Sequence, residues 1–136
     1  MAKDPVTIFH NPACGTSRNT LALIREAGVE PTVVEYVKAG WTAPQLKALF
    51  KTMGVPAADA LRVRGTDAEA RGLTAPGVAD EAIIAAMVDD PILVNRPIVV
   101  TEKGASLCRP VEKVVMLLPE AAQKVLKAKG LPAPAA

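Results

Sequence analysis

One cysteine in a polar loop is the residue of this chain best suited to do chemistry. Cys14 follows a short apolar run at residues 6–9 and precedes an amphipathic run at residues 21–27. The stretch around it reads His10-Asn11-Pro12-Ala13-Cys14-Gly15-Thr16-Ser17-Arg18-Asn19-Thr20. This order predicts a strand, a tight loop and a helix, with Cys14 at or just before the helix N-terminus. Unpaired backbone N–H groups and the helix dipole favour an anion, such as a thiolate, at that position.

The neighbours of Cys14 favour a reactive thiol over a buried structural one. A free cysteine has a pKa of about 8.5, and a helix N-terminus or nearby cations lower it to roughly 3.5–7.5. His10, Arg18 and the backbone amides of residues 15–17 are candidates to lower the pKa of Cys14. An isolated cysteine is more often a small core residue, but the residues around this one are typical of loops and caps. We therefore interpret Cys14 as a nucleophile.

Three spacings narrow the chemistry to that of a single thiol. A Cys-x-x-Cys dithiol would need cysteine at position 17, which is Ser17, and a Cys-x5-Arg phosphate loop would need arginine at position 20, which is Thr20. One histidine and two distant cysteines do not provide the ligand spacing of a zinc site. We therefore expect Cys14 to form a covalent adduct that an outside thiol resolves.

The composition indicates a globular chain without a nucleic-acid or membrane partner. Its 136 residues, half of them apolar, predict one domain at 1–130 and a Pro/Ala-rich tail at 131–136. A net charge of +2 is too small to indicate nucleic-acid binding, and no apolar run is long enough to cross a bilayer. Residues 1–5 lack the apolar core of a secretory signal, and two distant cysteines suit a reducing compartment, so we expect a cytoplasmic protein.

The first half of the chain predicts a strand–helix–strand unit. The first strand is expected at residues 6–9, and the helix after it is capped by Thr16 or Ser17 and ends near Gly28. The second strand is expected at residues 32–36, where β-branched and aromatic residues dominate. Two strands joined by one helix within about thirty residues run parallel.

A helical segment and a second, shorter half follow. Helices are expected at residues 43–53, capped by Thr42, and at residues 81–88, capped by Asp80, with helical turns between them at 57–61 and 67–72. The second half is predicted as a strand at 98–101, a hairpin to a strand at 105–108, and a last helix running from 111 to about 118 and on towards 129. This order, βαβ, inserted helices, then ββα, is the plan of an α/β thioredoxin-like mixed sheet.

Three motifs together carry a family resemblance. Residues 10–20, residues 91–100 and residues 107–110 resemble the glutaredoxin-coupled arsenate reductases in order and spacing, and the likeness runs from about Val6 to the last helix. In that family the cysteine attacks arsenate and three arginines bind the oxyanion. The resemblance places these roles on Cys14, Arg62, Arg96 and Arg109. It also implies a cis-proline at Pro97, beside the catalytic loop.

The resemblance implies supporting roles for two more residues. His10 is expected to lower the pKa of the thiol, and Ser17 to hydrogen-bond the thiolate. Arg64 lies two residues beyond Arg62 and competes with it for the role of first substrate arginine. The chemistry of arginine agrees with these roles, because the planar guanidinium suits a tetrahedral oxyanion. Several arginines also neutralise that anion and stabilise a thiolate beside it.

The resemblance also supplies a reaction. Cys14 attacks arsenic(V) and water leaves, glutathione then reduces the arsenic and remains on Cys14 as a mixed disulfide, and glutaredoxin removes it as arsenite departs. Glutathione is a co-substrate in this scheme, and neither a bound cofactor nor a metal is expected. Cys108 adjoins Arg109, but we interpret it as a buried strand cysteine and not as the resolving thiol.

Two other functions remain open from the sequence. A regulator of the Spx type shares the fold and binds RNA polymerase, but members of that group typically carry Cys-x-x-Cys at the loop, where this chain has Ser17. A monothiol reductase could instead act on another oxyanion or on glutathionylated proteins. The apparent set of three arginines favours arsenate over that alternative.

Overall fold

Within the part of the chain that the structure describes, four short strands form one mixed sheet. The structure is a computed structural model that describes residues 6–132. The strands are β1 (Thr7–His10), β2 (Thr32–Glu35), β3 (Ile98–Thr101) and β4 (Gly104–Leu107), in the spatial order β2-β1-β3-β4. β1 and β2 run parallel, whereas β3 is antiparallel to both β1 and β4. The predicted thioredoxin-like plan is confirmed, with β1 and β4 each one residue away from the expected position.

Residues 6–132 form five α-helices and three 3-10 segments around the sheet. The α-helices are α1 (Gly15–Glu26), α2 (Tyr36–Ala39), α3 (Ala43–Met53), α4 (Asp80–Asp89) and α5 (Glu120–Ala128). The 3-10 segments are Ala57–Ala60, Pro91–Leu93 and Val111–Leu117. α3 begins with the predicted cap, because the Thr42 hydroxyl accepts from the Gln45 N–H at 3.2 Å, and the Gln45 side chain accepts in return from the Thr42 N–H. No helix in residues 6–132 is long and apolar enough to cross a membrane.

Two predicted helix caps are wrong. α1 begins at Gly15 with Cys14 as its N-cap, so Thr16 and Ser17 lie inside the first turn. The Ser17 hydroxyl is engaged elsewhere, by the His10 ring and the Asn11 N–H, and therefore does not cap the helix. α4 begins at Asp80 itself, after Ala79, and no side chain caps it. The aspartate still lies in the first turn, where its charge favours the helix dipole.

Three segments differ in type from the prediction. Tyr36, expected to end the second strand, begins the short helix α2. Residues 67–72 belong to a run of hydrogen-bonded turns that continues past Gly72, where φ is +75°. The expected last helix is divided, because Val111–Leu117 is 3-10 and α5 starts only at Glu120. Pro119 explains the division, since the residue before a proline is disfavoured in the α conformation and Leu118 is extended.

Two apolar clusters cover the two faces of the sheet. Adjacent residues on one strand point to opposite faces, and Ile98 and Val99 accordingly belong to different clusters. One cluster packs α3 and α4 on the sheet through Leu46, Phe50, Ile83 and Met87. The other packs α1, α5 and Val111–Leu117 through Ile24, Val114, Leu118 and Leu126. Residues 1–5 and the tail beyond residue 132 lie outside the described residues.

Candidate active site

The strand directions bring the predicted site residues to one edge of the sheet. β1 and β2 both end there, because they are parallel and His10 pairs with Glu35. β3 begins there, since Ile98 pairs with Phe9, and β4 ends there, since Leu107 pairs with Ile98. The loop after β1, the residues before β3 and the residues after β4 therefore meet. These three segments carry Cys14, Arg96 and Arg109.

Cys14 occupies the N-cap position of α1. Its N–H donates to the Asn11 carbonyl at 3.0 Å, and its carbonyl accepts the first helical bond from the Arg18 N–H at 3.0 Å. The side chain makes no capping bond, and the residue is 9% exposed. The thiol therefore lies at the positive end of a twelve-residue helix while remaining accessible to a small reactant.

Arg109 and Arg96 lie against the thiol. Nη1 of Arg109 is 3.7 Å from Cys14 Sγ and also donates to the Arg96 carbonyl at 2.9 Å. Nη1 of Arg96 donates weakly to the Ile92 carbonyl at 3.4 Å, and its buried Nε has no hydrogen-bond partner among the described residues. The Arg96–Pro97 peptide bond is cis, as expected. The two guanidinium groups thus place N–H donors beside the thiol, and an oxyanion bound there can accept hydrogen bonds from them.

Arg62 is held near Arg96 by contacts between its own segment and residues 93–95. Leu61 forms an isolated antiparallel bridge with Val94, and the Arg62 N–H donates to the Leu93 carbonyl at 2.7 Å. Arg62 Nη1 donates to the Asn95 side chain at 3.4 Å. Burial lowers the pKa of Arg62, and the neighbouring charges of Arg96 and Arg109 lower it further.

The structure distinguishes Arg62 from Arg64. Arg62 is half-buried beside the other two arginines, whereas Arg64 is exposed and contributes its carbonyl, which accepts from Arg62 Nε at 3.0 Å. Arg62 is therefore the arginine that the fold brings to Cys14. The three like charges would repel one another, and an anion among them relieves that repulsion.

The surroundings of Cys14 favour its thiolate. Burial raises the pKa of the thiol, but the Ser17 backbone N–H and the guanidinium groups of Arg96 and Arg109 outweigh that effect. The net result is a pKa below the ordinary value for cysteine. Ser17 therefore acts on the thiol through its main chain, as one of the backbone amides of residues 15–17 that the sequence offered as candidates.

Alkylation of Cys14 by iodoacetamide is expected to have a midpoint pH well below the free value of about 8.5. As the pH falls through the thiol pKa, the thiolate is protonated and alkylation slows. The measurement is the pseudo-first-order rate against pH, with the urea-unfolded chain as reference. In the folded protein Cys108 does not interfere, because burial raises its pKa to about 12; the unfolded reference is the Cys108→Ala chain, in which Cys14 is the remaining thiol. Equal midpoints in the folded and unfolded chains would show that the arginines and the helix do not act on the thiol.

His10 reaches the thiol only through Ser17. The two side chains are hydrogen-bonded at 2.6 Å between Nδ1 and Oγ, and Ser17 Oγ also accepts from the Asn11 N–H at 3.1 Å. Burial lowers the pKa of His10, and Arg25 and Arg18 add to this against the opposing charge of Glu35. The lowered pKa favours the uncharged ring, and His10 positions the first turn of α1 through Ser17 instead of acting as a cation on Cys14.

Tyr36 belongs to the site and was not among the predicted residues. Its hydroxyl donates to the Val94 carbonyl at 2.7 Å and so anchors the segment that carries Arg96. Burial raises the pKa of Tyr36 to about 12, against the opposing charge of Arg96, and the hydroxyl stays protonated. Its position was foreseeable, because it follows the end of the second of two parallel strands, at the same sheet edge as Cys14.

Cys108 directly follows the last residue of β4 and is fully buried. It belongs to the cluster of Ile24 and Leu118, and its Sγ contacts the Ser106 carbonyl at 3.6 Å. Both cysteines are free. Within residues 6–132 no group of three or more His, Cys, Asp or Glu side chains is arranged to hold a metal ion.

Comparison with known proteins shows which family this chain resembles in sequence and in fold. The ArsC family model matches residues 9–116. The chain is 51% identical over 115 residues to an arsenate reductase of Rhizobium meliloti (strain 1021), covering 85% of this chain and 82% of the relative. It is 47% identical over 116 residues to an arsenate reductase of Escherichia coli (strain K12), with shares of 85% and 82%. The solved structure of an arsenate reductase from Vibrio cholerae superposes with a TM-score of 0.81 at 34% identity, covering 86% of this chain and 100% of that one. The chain belongs to the ArsC family.

Proposed function

We propose that this protein is an arsenate reductase that reduces arsenate to arsenite through a covalent adduct on Cys14. The observation that carries the proposal is the 3.7 Å approach of Arg109 Nη1 to Cys14 Sγ, with Arg96 bound to the same guanidinium through its carbonyl. A nucleophile and two oxyanion-binding groups therefore share one small site. The arsenate reductase activity of relatives about half identical in sequence supports the same conclusion.

The first step is displacement at arsenic. The Cys14 thiolate attacks arsenic(V), a sulfur–arsenic bond forms, and one arsenic–oxygen bond breaks. The departing oxygen takes a proton and leaves as water. Arg62, Arg96 and Arg109 neutralise the arsenate oxygens, so that one anion can approach another, and their fixed positions avoid reorganisation as the charge redistributes.

The second step needs a thiol from outside the chain. A glutathione thiolate attacks Cys14 Sγ, a sulfur–sulfur bond forms, and the sulfur–arsenic bond breaks. Its electron pair stays on arsenic, which becomes arsenic(III) and departs as arsenite. The mixed disulfide on Cys14 is then reduced by glutaredoxin, which takes up the glutathione and returns the free thiol. Two free cysteines and a reaction that needs reduced glutathione fit a cytoplasmic location.

Replacing Cys108 with alanine is expected to leave turnover within about threefold of the wild type, because glutathione and not Cys108 resolves the adduct. The side chain is small and buried, so some loss of thermal stability is expected at the same time. Steady-state arsenite formation, measured below the melting temperature of the variant, checks this. A fall comparable to that of a Cys14 variant would make Cys108 the resolving thiol.

Reconstitution with purified components tests the function. The complete mixture of protein, arsenate, glutathione, glutaredoxin and its regenerating system is expected to form arsenite, whereas omission of either thiol component stops turnover. Selenate, offered in place of arsenate, distinguishes the arsenate reductase from a monothiol reductase of another oxyanion. No arsenite from the complete mixture, with an active control reductase beside it, would refute the proposal.

A further inference from the structure

A cleft on the surface adjoins the arginine cluster. It has a volume of about 350 Å³, and its lining includes Met53, Val55, Asp59, Leu107, Arg109 and Lys113. It lies between the end of α3, strand β4 and the start of the Val111–Leu117 segment. Its size falls at the small end of ligand-binding pockets. Arg109 belongs both to this cleft and to the thiol site.

The cleft presents both signs of charge over an apolar floor. Lys113 and Asp59 are exposed, and neither takes part in an ion pair within residues 6–132. Met53, Val55 and Leu107 are half-buried beside them. A small zwitterionic peptide complements this arrangement, since it offers carboxylates to the cations, an ammonium to the aspartate and a short apolar backbone to the floor.

We propose that this cleft binds glutathione, with Lys113 and Arg109 facing its carboxylates and Asp59 facing its ammonium group. The proposal rests on the proposed function, because that reaction requires glutathione to deliver its thiol to Cys14. Arg109 connects the two places, since this residue lines the cleft and its Nη1 lies 3.7 Å from Cys14 Sγ. A second cleft, lined by Glu120, Gln123, Lys124 and Lys127 among others, has no residue of the thiol site in its lining.

The test uses S-methylglutathione, which binds as glutathione does but has no thiol to react. Titration into the full-length ¹⁵N-labelled protein is expected to shift the amide signals of Val55, Ser106 and Lys113. Lys113→Glu is expected to raise the Kd about fivefold or more, as reversal of one exposed ion pair predicts, and Lys113→Gln less. The fold should persist, because Lys113 bonds to the Pro110 carbonyl through its backbone N–H, and the substitution leaves that bond in place.

Lys124→Glu in the second cleft is the matched control and should leave the Kd unchanged. In turnover assays Lys113→Glu should raise KM for glutathione but not KM for arsenate. Shifts confined to the second cleft, no shifts at all, or wild-type affinity in Lys113→Glu would overturn the proposal. The probe binds without arsenate, so the titration tests the glutathione site and the arsenite assay tests the reductase activity separately.

Discussion

Replacing Cys14 with serine is expected to abolish arsenate reduction, lowering turnover by about a thousandfold or more, while the protein still folds. A serine hydroxyl ionises far less readily than a thiol, and it cannot form the mixed disulfide whose formation leaves an electron pair on arsenic. Folding should survive because Cys14 is an N-cap residue whose side chain makes no capping bond. Serine is among the preferred residues at that position.

The measurement is arsenite formation in the reconstituted assay, with circular dichroism and thermal melting to confirm the fold. Cys108→Ala is the matched control, because it removes the other cysteine and leaves the site intact. Turnover of Cys14→Ser above a few per cent of wild type would remove Cys14 from the role of nucleophile.

Arg96→Lys is expected to lower kcat/KM for arsenate by roughly ten- to a hundredfold, although it keeps the positive charge. Arg96 has a buried Nε without a hydrogen-bond partner among residues 6–132, and its guanidinium lowers the pKa of the Cys14 thiol. Lysine has no group in that position and cannot form two parallel bonds to an oxyanion. One hydrogen bond to a charged group is worth about 1.5–3 kcal/mol, and each 1.36 kcal/mol is tenfold in rate.

Arg18→Lys is the matched control for this substitution. Arg18 is exposed on α1, and its guanidinium donates to the Pro12 carbonyl at 2.8 Å. A lysine ammonium can make a similar single bond, so kcat/KM should remain within about twofold of wild type. Equal losses of kcat/KM in the two variants would show that Arg96 does not bind the substrate.

Elements that local sequence rules determine were predictable. The capped helix α3, its end at Gly54 with φ +70°, and the hairpin of β3 and β4 follow from side-chain type and turn chemistry within a few residues. The convergence of Cys14, Arg96 and Arg109 was also predictable, because strand direction alone brings their loops to one edge.

Side-chain partners that depend on how loops and segments pack against one another were not predictable. Ser17 looked like a cap, but the neighbouring His10 ring and Asn11 N–H take its hydroxyl. The choice between Arg62 and Arg64 depends on a bridge between Leu61 and Val94, thirty-three positions away. The anchoring role of Tyr36 rests on the same segment, through its bond to the Val94 carbonyl. No local pattern encodes such contacts.

Trapping the state of Cys14 tests the central claim most directly. The protein is mixed with arsenate and glutathione in the absence of glutaredoxin, quenched with acid, digested and examined by mass spectrometry. We predict one glutathione on the Cys14 peptide, formed only when arsenate is present, and a free thiol on Cys108. A Cys14–Cys108 disulfide, or equal glutathionylation of Cys14 without arsenate, would contradict the proposed mechanism.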